Sequence, residues 1–155
     1  MLIGVLYVRL YCFQNWGFKG WNDACDPNMT AAYETNLANL VTDLRDAFGA
    51  KALPVSIAVC GQGGYGNRSV VGPVTDVTAA QFAVANATRH PELGGHVVAM
   101  DTRGFWREPQ YSADQNQGYH YWWNAETHAL VGEAMAEGMI KAMAADSTYH
   151  GQHMP

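Results

Sequence analysis

His120 stands in the run Gly-Tyr-His-Tyr-Trp-Trp-Asn-Ala-Glu-Thr-His-Ala-Leu over Gly118–Leu130, just ahead of a residue suited to start a helix. An imidazole on a loop tied to a helix cap is held rigidly and can take a proton near neutral pH. Gly20-Trp21-Asn22-Asp23 offers a second chemistry. Its glycine allows close backbone approach, and the asparagine amide can point N–H donors at a developing oxyanion. Each has a bland reading: Gly, Asn and Asp are ordinary turn formers, and a lone loop histidine is commonly surface decoration. Spacing alone leaves both readings open.

Gly61-Gln62-Gly63-Gly64-Tyr65-Gly66 fits the Gly-x-Gly-x-x-Gly pattern of dinucleotide sites. That chemistry needs a helix opening at the third glycine, so that amides and dipole meet the pyrophosphate. Asn67–Val77 contains Gly72 and Pro73 and reads as loop, so no nucleotide cofactor is expected. The pairs His120 with His128 and His150 with His153 lack a cysteine or acidic ligand at a recognisable spacing, so no metal is expected. Trp16, Trp21, Trp106, Trp122 and Trp123 fall in loops, where they can stack on sugar rings or pack beneath the backbone.

The elements that must position these groups alternate between strand and helix. Leu2–Phe13 is a near-continuous apolar run, as in a strand covered on both faces. Thr30–Phe48 repeats Tyr33, Leu37, Leu40, Val41, Leu44 and Phe48 at helical spacing, with Thr30 as cap and Gly49 as stop. Pro54–Cys60 and His96–Asp101 read as strands, and Thr78–Thr88 as a helix capped by Thr78. Asn124 caps a final helix to about Ala145, with Thr127, Leu130, Val131, Ala134, Met135, Gly138, Met139 and Ala142 on one stripe. This order predicts an α/β fold with a mainly parallel sheet, helices on both faces and right-handed crossovers. Ligands then gather beyond the carboxyl ends of the strands, in Gln14–Asp26, Gly61–Val77 and Thr102–Trp123.

With 155 residues, 48% hydrophobic and 15% charged, the chain can bury one core, and a single domain over residues 1–146 with a flexible tail over 147–155 is expected. A net charge of −5 with scattered Lys and Arg argues against nucleic acid as partner. Leu2–Phe13, interrupted by Arg9, is too short to span a bilayer and lacks the basic start and cleavage site of a leader, so no membrane partner is expected. Cys12, Cys25 and Cys60 form no Cys-x-x-Cys and read as free buried thiols.

Gly-x-Asn-Asp at Gly20–Asp23 resembles a conserved block of the SGNH hydrolases, and Phe18–Asp23 resembles the Phe-Gln-Gly-Trp-Asn-Asp of sialate O-acetylesterase-like and acetylxylan-esterase-like proteins. His120–Thr127 is similar to their His-Tyr-x-x-Asn/Ser-Ala-Glu-Thr, with His128 where tyrosine is usual. Tyr33–Leu37, Gly61–Gly64 and Asp101–Trp106 resemble further blocks in the same order, so the likeness runs from about Gly17 to Met143. The resemblance implies a three-layer α/β/α fold, SGNH or flavodoxin-like, and a serine esterase that removes acetyl groups from carbohydrates without a cofactor. In it His120 is the base, Asn22 an oxyanion donor, and Gly20, Trp21, Asp23, Gly61, Gln62 and Gly63 line the substrate site.

The pattern is broken at two points. No Gly-Gln-Ser-Asn nucleophile block is present, and Ser56, Ser69, Ser112 and Ser147 lack its context. The resemblance therefore implies that this chain is the C-terminal portion of the fold, lacking an N-terminal strand and helix, with an exposed sheet edge that favours self-association. Many of these enzymes carry an aspartate three residues before the histidine, where this chain has Gln117. Asp114 is the nearest upstream carboxylate and would orient His120 only if the loop folds back. The alternative function is a carbohydrate-binding or interaction module without catalysis.

Overall fold

A computed structural model describes residues 20–66 and 74–145. The strand expected over Leu2–Phe13, the loop residue Trp16 and the tail expected over 147–155 lie outside them.

A one-turn helix, α1 (Trp21–Ala24), leads directly into α2 (Pro27–Ala47). Asp26 caps α2 where Thr30 is expected to. Its carboxylate accepts the Asn28 and Met29 N–H groups at 2.7 and 3.2 Å, and Pro27 fills the first position, where an N–H has no helical partner. Thr30 lies inside the helix and donates its hydroxyl to the Asp23 carbonyl at 2.7 Å, fastening α2 to α1. Gly49, at φ 61°, ends the helix as expected. The inward stripe is Tyr33, Leu37, Ala38, Val41 and Arg45, whereas Leu40 and Phe48 lie to one side and are 44% and 46% exposed. Arg45 is buried because its guanidinium meets the carbonyls of Leu53 (3.2 and 3.0 Å) and Leu93 (2.8 Å).

β1 (Val55–Ala58) and β2 (Val97–Met100) pair in parallel, with Val55 opposite Val97 and Ala58 opposite Met100. The crossover between them carries α3 (Val74–Val84). This helix starts earlier than the sequence pattern indicates, so Val74–Val77 are helical and not loop. Thr78 is no cap: it is buried and donates to the Cys60 carbonyl at 3.2 Å. Val55 and Ile57 pack with Ala38 and Val41 of α2, Val84 of α3, and Leu93 and Val97. The alternate positions of β1 serve the other face, where α4 (Ala125–Ala144) packs on both strands. A Cβ on Gly138 would collide with Ser56 Oγ and Met100, so a glycine is what lets α4 lie this close to the sheet. The result is a mixed α/β structure with a parallel two-stranded sheet and helices against both faces. No helix among the described residues is long and apolar enough to cross a membrane.

Candidate functional site at the ends of the two strands

Beyond its last strand residue, β1 continues through Val59 and Cys60 to Gly61, and every polar group on this path is engaged. Val59 N–H donates to Met100 O at 3.0 Å, while its carbonyl accepts a short bond from the Thr102 hydroxyl. Cys60 N–H donates to Gln81 Oε1 at 2.8 Å, and Gln81 Nε2 donates to Tyr33 Oη at 3.0 Å. Buried Gln81 thus links α2, α3 and the end of β1. Burial pushes the Tyr33 phenol well above its ordinary pKa, so it stays protonated as a fixed hydrogen-bonding group.

Gly20 docks against this strand end. Its φ is 125°, and a Cβ there would stand 2.5 Å from Val77 Cγ1 and 3.0 Å from Cys60 Sγ. Only glycine lets α1 approach so closely. Asn22 and Asp23 follow on α1. The Asn22 side chain is exposed and makes no hydrogen bond among the described residues, so its amide donors are available; Asp23 is half-buried.

Gly61 is equally constrained: a Cβ would lie 2.7 Å from Thr102 O. Its N–H donates to Tyr121 Oη at 2.7 Å, and Tyr121 in turn donates to Gln62 Oε1 at 3.4 Å. Gln62 Nε2 reaches the Tyr119 carbonyl at 3.5 Å. Gly63 and Gly64, at φ 78° and 63°, turn the chain so that Gly64 packs on Trp106 and Arg103. The glycine loop and the histidine loop are therefore joined through buried Tyr121, a residue for which the sequence offers one signal, its place directly after His120.

The histidine loop, Gly118–Trp123, makes tight turns on either side of a kink at His120–Trp122 and is closed by Asn124, whose side chain accepts Thr127 N–H at 2.9 Å as expected of a cap. Tyr121, Trp122 and Trp123 all have φ near +54°, an uncommon conformation for bulky residues that costs about 1–3 kcal/mol each. Burial of Tyr121, Asn124 and Thr127, and the bond from Thr127 Oγ1 to Phe105 O at 2.6 Å, hold it. His120 is half-buried between the rings of Tyr119 (4.5 Å) and Trp123 (5.0 Å), and its nitrogens make no hydrogen bond among the described residues. Trp21 of α1 lies 6.0 Å from Tyr119, which brings the Gly20–Asp23 and His120 blocks to one place.

Asp114 does not pair with His120. Its carboxylate accepts Asn116 N–H at 2.6 Å, and its own N–H donates to Trp122 O at 3.0 Å. Gln117 has another role as well. Its carbonyl accepts the N–H groups of His120 (2.9 Å) and Trp122 (3.1 Å), and its side-chain oxygen accepts the Trp123 indole N–H at 3.0 Å.

Two arginines flank the loops, each neutralised. Arg103 grips Asp101 at 2.8 and 2.6 Å, which holds that carboxyl below the usual range, and Arg107 grips Glu126 at 2.9 and 2.7 Å. Among the described residues no group of three or more His, Cys, Asp or Glu could hold a metal ion. Cys60 is buried and forms no disulfide, but Cys25 is exposed, contrary to the burial expected of it; Cys12 lies outside the described residues. Compared with protein-family models, curated proteins and solved structures, the chain matches none.

Proposed function

We propose that this chain carries the base and oxyanion side of a carbohydrate O-acetylesterase, set in a three-layer α/β/α frame of the SGNH type. What supports the reading is convergence: blocks far apart in sequence, Gly20–Asp23, Gly61–Gly64, Asp101–Trp106 and His120–Thr127, meet beyond the carboxyl ends of β1 and β2. Ligands gather there in parallel α/β folds. His120 removes the proton of an attacking water, whose oxygen bonds to the acetyl carbon while Asn22 donates to the carbonyl oxygen as it gains charge; the bond from the acetyl carbon to the sugar oxygen then breaks and frees acetate. The proton then passes to the departing sugar oxygen.

An activated ester tests this without requiring a nucleophilic serine, since water deprotonated by His120 can attack p-nitrophenyl acetate to yield acetate and p-nitrophenol. The expected outcome is hydrolysis that falls about 100-fold in His120→Ala and by about tenfold or more in Asn22→Ala. Equal rates in the unsubstituted protein and His120→Ala overturn the catalytic reading. A second reading, a glycan-binding module without turnover, draws on the engagement of Asp114 with Asn116 and on the lack of a Gly-Gln-Ser-Asn block. Acetylated xylan that shifts tryptophan fluorescence without releasing acetate would favour it.

A further inference from the structure

Beside the strand ends four aromatic side chains, two exposed and two partly buried, form a ribbon. Trp21, Tyr119, His120 and Trp123 follow one another at centroid spacings of 6.0, 4.5 and 5.0 Å. Tyr119 and Trp123 are 40% and 45% exposed, an unusual state for such large rings so close together. The ribbon is also fixed in place. Gln117 Oε1 holds the Trp123 indole N–H at 3.0 Å, and Gln62 holds the Tyr119 backbone. Rigid rings presented to solvent with little rotamer freedom left to lose are suited to binding.

The local charge narrows the ligand. Among the described residues of the surrounding loops the cations are Arg103 and Arg107, and both are already held by carboxylates. Asp23 and Asp114 add negative charge on the same loops. Among these described groups an anionic ligand meets no free arginine and faces two carboxylates. A neutral ligand with flat apolar faces and a hydroxyl rim fits, since C–H faces lie on rings while the rim bonds to water and polar tips such as the Asn22 amide. A single sugar covers one ring, whereas Tyr119 and Trp123, exposed on either side of His120, match linked sugars.

We propose that Trp21, Tyr119, His120 and Trp123 form a platform for a neutral, unbranched oligosaccharide, with Gln117 positioning Trp123. This deepens the carbohydrate reading above, naming a chain as ligand where that reading leaves the sugar open.

Isothermal titration of the full chain with xylohexaose, cellohexaose and mannohexaose tests it, with the three monosaccharides and hexagalacturonate as controls. At least one neutral hexasaccharide is expected to bind ten-fold or more tightly than its monosaccharide and than hexagalacturonate. Trp123→Ala should weaken that binding about tenfold and Trp123→Phe much less. Gln117→Leu should weaken it, and Gln117→Glu, which keeps an acceptor for the indole N–H, should restore it; a residue needed only for folding would lower Tm without that rescue. No binding of any neutral hexasaccharide, equal binding of monosaccharide and hexasaccharide, preference for hexagalacturonate, or indifference to Trp123→Ala in a chain of unchanged Tm overturns the platform. Binding without His120-dependent ester hydrolysis removes the esterase reading and keeps the platform, and hydrolysis without binding does the reverse.

Discussion

At Gly20 one missing Cβ decides how closely α1 approaches the end of β1. Gly20→Ala would force a side chain into Val77 and Cys60 at a φ that L residues rarely adopt. We expect it to destabilise the chain by about 3 kcal/mol, read as a lowered urea midpoint with an unchanged slope. Tyr121→Phe probes a different residue-scale role. It leaves the ring in the core but removes the hydroxyl that accepts Gly61 N–H, stranding a buried donor. The expected loss is about 1–3 kcal/mol, with ester hydrolysis falling as the glycine loop loosens from His120. A loss of stability no larger than that of an exposed Tyr119→Phe control would count against the link. His120 and Asn22 could be picked out by residue type and motif, whereas Tyr121 is marked only by its place after His120, because its importance lies in a bond to a residue 60 positions away.

At the scale of elements, α2 is tied to the segment before β2 by charge. Both His90 ring nitrogens face carboxylates, Nδ1 at 2.6 Å from Glu92 and Nε2 at 3.0 Å from Glu34, while Arg89 also grips Glu34 at 2.5 and 2.7 Å. A neutral imidazole can donate from one nitrogen only, so this arrangement needs the doubly protonated ring. The His90 pKa is accordingly raised, by Glu92 first and Glu34 next, and that of Glu34 is lowered, by Arg89 first and then His90. The histidine contribution is complete below the unfolded value of about 6.5 and is lost as pH rises through the raised folded value; the Glu34 contribution is present above about 4.3 and lost on acidification. Between these limits the clasp is whole. Thermal unfolding at about pH 5.5 and about pH 8.5 should show a larger drop in Tm for the unsubstituted chain than for His90→Asn; parallel drops would refute the clasp. Asp26→Ala should cost about 1 kcal/mol through the lost cap of α2. Helical spacing made α2 and α4 readable to within a few residues, yet Thr30 and Thr78 were both misplaced as caps, because each is a sound capping residue locally and is used for a tertiary bond instead.

Across the whole molecule, β1 and β2 pair with each other among the described residues, and Leu40 of α2, Phe48 just after it and Ile140 of α4 stay exposed. Outer strand edges that have no partner among the described residues, and apolar side chains left at a surface, favour association. Sedimentation velocity over a range of concentrations should show a coefficient that rises with loading; one sharp monomer boundary throughout would count against self-association.

The sequence by itself determined the alternation of helix and strand from α2 to α4, the Asn124 cap and the positions of His120 and Asn22, because periodicity, caps and motifs act over a few residues. The tertiary structure alone decided what those groups meet. It brought Trp21 to Tyr119, Gly61 to Tyr121 and Gly20 to Cys60, turned Asp114 to Asn116, and gave Gln117 the indole of Trp123. Such pairings depend on how closely backbones approach and which polar groups are buried together, and these follow from packing between elements distant in the chain.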